Sequence, residues 1–178
     1  ILSSDFRNHA VGHLIIGLLD NLDRKNYEIF LYSTFFSDGS EISKLIQQTT
    51  DEYHDLSKHS LVKKAQKINQ DSLDLLIDLG GLSKGHNAEL LAPKPAPRQS
   101  HYLGYASTMG KGLVGWTIAD KYVIPPSSTK NFSEKVIRMD GCFMPPGNFK
   151  IFAKRVKRSD VGLPTKGFVY CAFHAAYK

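Results

Sequence analysis

The chain has 178 residues, 42% of them hydrophobic and 22% charged, with a formal net charge of +6. That length supports one domain with a sizeable core, the composition reads as soluble and globular, and no apolar run nears the ~20 residues that span a bilayer. The basic charge is scattered over Lys63, Lys64 and Lys67, then Lys150, Lys154, Arg155, Lys157 and Arg158, with no run of interleaved aromatic rings to form a stacking platform, which argues against nucleic-acid binding.

Nothing at the start reads as a secretory leader. Cys142 and Cys171 lie in unrelated contexts outside any CxxC pair, so no zinc site is expected and the cytoplasm is the expected location.

In chain order, an opening strand ends at Phe6 and a helix follows from Val11 to Asn21, with Leu14, Ile15, Leu18, Leu19 and Leu22 at helical spacing. His9 falls on the turn between them. Tyr27 to Tyr32 reads as a strand, Ser40 to Gln48 as a helix capped by Ser40, Asp51 to Leu56 as a short strand, and Ser60 to Gln70 as an amphipathic helix. The run from Leu73 to Leu79 fits a central parallel strand buried on both faces, ended by Gly80-Gly81. A short helix covers Asn87 to Leu91. Pro93, Pro95 and Pro97 then force an extended crossing from Ala92 to Arg98.

Gln99 to Leu103 resumes a strand, and Gly104 to Gly112 is a loop. Short strands are expected at Trp116–Asp120 and Tyr122–Ile124, ending at Pro125-Pro126. Lys150 to Pro164 reads as a linker, and Phe168 to Phe173 as a last strand. A strand so close to the final residue, and a start inside a strand, suggest a piece of a longer protein.

The alternation predicts an α/β fold, a Rossmann-like doubly wound parallel sheet. Gly80-Gly81 is not a GxGxxG fingerprint, which disfavours a dinucleotide-binding dehydrogenase. Ligands of open α/β sheets bind beyond the carboxyl ends of the strands, and His9 stands there, able to exchange a proton near neutral pH.

Several stretches in order carry a resemblance. They are Ser3-Ser4-Asp5-Phe6 with Asn8-His9 and His13-Leu14, Asp78-Leu79-Gly80-Gly81 with Lys84-Gly85, and Pro95-Ala96-Pro97-Arg98-Gln99. Further on come Tyr102-Leu103-Gly104-Tyr105 with Thr108 and Gly110, Ile118-Ala119-Asp120 with Ile124-Pro125-Pro126, and Tyr170-Cys171 with Phe173 and Tyr177-Lys178. Together they resemble the catalytic region of the protein O-linked N-acetylglucosamine transferases, the bacterial members above all.

The resemblance implies a GT-B architecture of two Rossmann-like lobes, usually preceded by tetratricopeptide repeats. Residues 1–149 would be the N-terminal lobe, truncated at its start, 150–166 a linker, and 167–178 the first strand of the C-terminal lobe. It implies inverting transfer of N-acetylglucosamine from UDP-GlcNAc to Ser or Thr hydroxyls, with no metal ion or further cofactor. Expected partners are the nucleotide sugar, a protein or peptide acceptor, the second lobe and the repeats, with no nucleic acid and no membrane.

His9 matches the histidine that faces sugar and acceptor, and Lys178 the lysine that meets the departing diphosphate, a role suited to a compact charge with several donors. Asp71 matches an aspartate implicated in proton handling, or is a helix-ending carboxylate. Asn8, Tyr177 and the loop residues Leu103, Gly104, Tyr105, Thr108 and Gly110 would contact substrate. His13, one turn after His9, orients that ring or packs, with packing favoured.

Departures from the family pattern are Ala106-Ser107-Thr108-Met109-Gly110 in place of Pro-Gly-Thr-Ser-Gly, Ala10, Asp74, Gly115 and His174-Ala175. They bear on sugar choice and activity more than on fold. They leave two rivals: a degenerate binding lobe, and a related transferase using another sugar or an Asn acceptor.

Overall fold

The structure, a computed structural model, describes residues 1–145 and 156–172. Lys178, Tyr177 and His174-Ala175 lie outside the described residues. Two compact units divide the chain, Ile1–Asn148 and Phe149–Lys178.

The first unit is a seven-stranded sheet in the order β3-β2-β1-β4-β5-β6-β7, and every adjacent pair is parallel. The strands are β1 (Leu2–Ser3), β2 (Phe30–Ser33), β3 (Glu52–Asp55), β4 (Leu76–Asp78), β5 (Gln99–Tyr102), β6 (Trp116–Asp120) and β7 (Lys135–Met139). Four helices connect them: α1 (Ala10–Asn21), α2 (Glu41–Gln48), α3 (Leu61–Gln70) and α4 (Ala88–Leu91).

The chain steps outward from β1 to β2 to β3, then crosses back to β4 and proceeds the other way. With right-handed crossovers, that reversal moves the later helices to the opposite face. Accordingly α1 and α2 bury Ile15, Leu19 and Ile46 with Leu31 on one side, while α3 and α4 bury Ile68, Leu90 and Leu91 with Tyr32 on the other. Leu31 and Tyr32 part company because successive strand residues face opposite sides.

Helix starts follow their caps. Ser40 accepts the Ser43 amide at 3.2 Å and Ser60 the Lys63 amide at 3.4 Å. Gly12 of α1 has no substitute, since a Cβ there would lie 2.2 Å from the Arg7 carbonyl oxygen of the loop folded over the helix.

Several elements differ from the sequence expectation. The central strand is only Leu76–Asp78, and β1 ends at Ser3, where the Ser3 hydroxyl accepts the Asp5 amide at 3.0 Å and turns the chain. Tyr122 to Ile124 is a turn, not a strand: the Asp120 carboxylate accepts the amides of Tyr122 and Val123, each at 2.8 Å. β7, for which no strand was expected, pairs along its whole length with β6.

In the second unit, Arg158–Val161 forms a short 3₁₀ turn closed by Gly162 at φ 70°. Residues 168–172 belong to no strand among the described residues, and Phe168 and Tyr170 are 87% and 90% exposed. A strand needs a partner backbone, so the strand expected from Phe168 is not formed there.

Candidate active site

The chain's reversal between β1 and β4 leaves a crevice beyond the carboxyl ends of those neighbouring strands, the topological switch point where open α/β sheets bind ligands. The loops after β1, β4 and β5 meet there. A Cβ on Gly104 would lie 2.1 Å from the Leu79 carbonyl oxygen and 3.7 Å from Val11 of α1, and one on Gly81 would lie 2.3 Å from Cβ of Tyr105. Leu103 holds a positive φ of 77°, a strained conformation for a branched residue, where β5 passes into its loop.

His9 is the cap of α1. Its Nδ1 accepts the Val11 amide at 3.3 Å, and its side chain is 43% exposed. Acceptance at Nδ1 assigns the neutral ring's proton to Nε2. A carboxylate oxygen of Asp5 stands 3.8 Å from the same Nδ1. Asp5 is buried and held in place, with its other oxygen accepting from Arg7 Nε at 3.2 Å and Nη2 at 2.9 Å, and the Ser4 hydroxyl 3.2 Å from the first. The Arg7 guanidinium also lies 4.9 Å from the Phe35 ring centre.

The loop after β2 ties into this arrangement. Asp38 accepts the Asn8 amide at 2.9 Å and the Ser40 hydroxyl at 2.6 Å, and those bonds, that of Ser40 first, hold its carboxyl below the usual range. The Asn8 side-chain oxygen meets Nε2 of His13 at 3.0 Å, so His13 braces Asn8 by a polar contact rather than by the packing expected of it.

The β4 and β5 loops are pinned from below. Asp78, fully buried, accepts the Gly81 amide at 2.7 Å and the Asn87 side chain at 3.4 Å. His101, equally buried, places Nδ1 3.1 Å from the Asp78 carbonyl oxygen and Nε2 against that of Tyr105.

The expected site residues separate into groups. Asn8, His9, His13, Leu103, Gly104 and Tyr105 gather at the carboxyl edge. Thr108 is turned onto Glu134, its hydroxyl donating at 2.7 Å, and it accepts the Gly110 amide at 3.2 Å.

The structure does not bring Asp71 to His9. Helix α3 runs back along the sheet from the carboxyl edge, so Asp71 caps its far end, near the start of β4. There its carboxylate accepts from Lys67 at 2.6 Å and from the Tyr32 hydroxyl at 2.7 Å. Asp71 thus stands as the helix-ending carboxylate of the two roles considered.

Sequence reading missed His101 and Glu134 as site supports and gave no role to Asp5. Asp5 carried a signal, lying four residues before a candidate base. The other two are set by strand neighbours far away in sequence. Among the described residues no group of three or more His, Cys, Asp or Glu could hold a metal ion.

A parallel doubly wound sheet with a histidine at its switch point defines the class of α/β lobes that bind a ligand at the carboxyl edge. The family model "Glycosyl transferase family 41" matches residues 1–157, and the chain belongs to that family. It is 33% identical over 99% of its length to the Arabidopsis thaliana protein named "Probable UDP-N-acetylglucosamine--peptide N-acetylglucosaminyltransferase SEC". It is 34% identical over 80% of its length to the UDP-N-acetylglucosamine--peptide N-acetylglucosaminyltransferase of Caenorhabditis elegans. The chain spans only 19% and 12% of those two relatives.

Among solved structures, a Thermobaculum terrenum O-GlcNAc transferase mutant superposes with a TM-score of 0.76 at 24% identity, over 81% of this chain and 28% of that one. The fold is therefore that of the N-terminal lobe of a GT-B enzyme.

Proposed function

We propose that this chain is the first catalytic lobe of an inverting glycosyltransferase that moves N-acetylglucosamine from UDP-GlcNAc to Ser or Thr hydroxyls of proteins without a metal ion. The observation that carries the reading is the half-exposed His9 ring at the switch point, beside a buried carboxylate, in a chain of this family. A second lobe completes the donor pocket in this reading, and repeats of the tetratricopeptide type present the acceptor.

The acceptor oxygen attacks C1 of the sugar from the face opposite the diphosphate. The new O–C1 bond forms as the C1–O bond to UDP breaks, so the configuration inverts and the electron pair leaves with UDP. The hydroxyl proton passes to Nε2 of His9. That transfer requires the ring's own proton on Nδ1, and Asp5 is the group to hold it there once the ring turns from the Val11 amide and closes the 3.8 Å gap. Asn8, Gly104, Tyr105 and Gly110 wall the sugar side, with Leu103 offering only its backbone because its side chain is buried in the core, and His13 acts through Asn8. By the resemblance, Lys178 is the cation assigned to the departing diphosphate and Tyr177 a substrate contact.

The second reading, a binding lobe without catalysis, is favoured by one observation: Nδ1 of His9 already serves as the cap of α1. Offering the intact protein a panel of labelled nucleotide sugars with Ser/Thr and Asn acceptor peptides separates the readings. Turnover of UDP-GlcNAc onto Ser or Thr is expected. His9→Ala should lower kcat by about 10²- to 10⁴-fold, the usual contribution of a general base, with UDP affinity unchanged. Nucleotide binding without transfer, or transfer indifferent to His9→Ala, overturns the catalytic assignment.

A further inference from the structure

The loop from Gly104 to Gly112 has few internal means of holding its shape. Gly110 and Gly112 sit at φ 84° and 91°, and a Cβ on either would touch nothing within 4 Å. Its first residues are pinned by His101 and the Leu79 carbonyl, and its middle, around Thr108 and Met109, by one buried group outside it.

Glu134, immediately before β7, points its carboxylate inward. Oε1 accepts the Met109 amide at 2.8 Å and the Thr117 hydroxyl of β6 at 2.9 Å. Oε2 accepts the Thr108 hydroxyl at 2.7 Å and the Ser133 hydroxyl at 2.9 Å. The residue is buried, as is Thr117. A buried carboxylate meeting four donors is fully satisfied, whereas without it the buried Met109 amide and Thr117 hydroxyl would be left unpaired at a cost. Met109, drawn in by this bond, lies in the apolar cluster with Val114 and Leu90, so the anchor also fixes which loop residues turn away from the crevice.

We infer that Glu134 is a positioning residue, acting through Thr108 and Met109 to fix the loop after β5, whose first residues, Gly104 and Tyr105, border the crevice proposed for the nucleotide sugar. Thr108, expected as a substrate contact, is accordingly part of the anchor through its hydroxyl. The inference rests on the glycosyltransferase reading for the identity of the ligand, and on the geometry alone for the anchor.

The test uses the intact protein with Glu134→Ala, Glu134→Gln and Thr108→Val, followed by hydrogen exchange, calorimetry with UDP-GlcNAc and transfer kinetics. Glu134→Ala should speed exchange of the Met109 and Gly110 amides about tenfold or more, the scale of one lost charge-assisted hydrogen bond, while amides of α1 and β1 to β3 keep their rates. Donor Kd and KM should rise together by about tenfold on the same grounds, with a smaller fall in kcat.

Glu134→Gln, which keeps one oxygen for the Met109 amide, should recover part of the loss. Thr108→Val should behave as a weaker Glu134→Ala and add little in that background, since the two act as one unit. Unchanged exchange at Met109, faster exchange spread evenly over the sheet, or a freed loop with unchanged donor affinity each overturn the inference. If the native protein binds no nucleotide sugar, the functional reading fails, and exchange at Met109 alone decides the anchor.

Discussion

His9 is poised between two partners that ask opposite things of it. As the cap of α1 it must offer a lone pair at Nδ1; as a base it must carry a proton there and offer Nε2 instead. The Val11 amide is nearer, at 3.3 Å, but that bond is long and neutral, while the Asp5 oxygen at 3.8 Å is charged and fixed by Arg7 and Ser4. Asp5→Asn tests which partner matters, because it keeps the size of the side chain and removes the charge. Its amide can donate to Nδ1 and lock the proton on Nε2, the wrong tautomer for a base. Transfer kinetics of Asp5→Asn should show kcat reduced by about 10²- to 10⁴-fold with KM within a few-fold. An unaltered kcat would mean that the capped ring is the working one and that His9 accepts no proton from the acceptor.

At the scale of elements, the close crossing of the β4 and β5 loops shapes the crevice, and glycine at position 104 permits it. A methyl group there must displace the Leu79 carbonyl, which is backbone and cannot swing aside. Gly104→Ala should lower unfolding stability by about 1–3 kcal/mol, the range for overpacking, measured by urea denaturation. Gly115→Ala is the contrast: its Cβ would meet only the Gln99 carbonyl oxygen at 3.8 Å, ordinary contact, so its loss should stay under about 1 kcal/mol. Equal losses would show that the crossing is looser than its geometry.

The same crossing shows what a sequence can disclose. The buried parallel strands were readable because apolar runs and glycine stops are local signals, Ser40 announced α2, and the amphipathic pattern announced α3. β7 was not, because this edge strand leaves Lys135, Ile137 and Met139 exposed and sets Arg138, half-buried on the opposite face, against the Ile124 carbonyl at 3.0 Å, a mixture with no clean apolar alternation to read. The placement of His9 was readable from strand and helix order. Glu134 was not, because its partners at 108, 109 and 117 become neighbours only after β6 and β7 pair. Asp71 misled for a related reason: a matching residue name says nothing about which edge of the sheet a helix end reaches.

Across the whole molecule, the shifts of the ionisable groups fix how stability should depend on pH. Burial would raise Asp71, but the bonds from Lys67 and Tyr32 outweigh it; burial would raise Glu134, but the Met109 amide and the Thr108 and Thr117 hydroxyls outweigh it. Asp120 is held low by the amides of Val123 and Phe143. Each is lower in the folded chain than in the unfolded one, so each contributes stability above its ordinary carboxylate range that disappears as pH falls through the folded value. His54 is also lowered, by burial and then by Lys67, so the unfolded chain takes up its proton first and stability begins to fall below about 6.5, the ordinary histidine value.

Tyr32 and Tyr102 go the other way. Burial raises both, Tyr102 to about 12, so their contribution is complete below the ordinary phenol value of about 10 and is lost as pH rises beyond it. Thermal unfolding followed by circular dichroism should therefore give a Tm that is flat from about pH 6.5 to 10 and falls on both sides, more steeply below pH 5, where the carboxylates join His54. Asp71→Asn should flatten the acid limb while leaving the His9-dependent chemistry intact, because its bonds to Lys67 and Tyr32 lie at the far end of α3 from the crevice. A Tm that peaked below pH 5 would show that these carboxylates are not ionised partners in the folded chain.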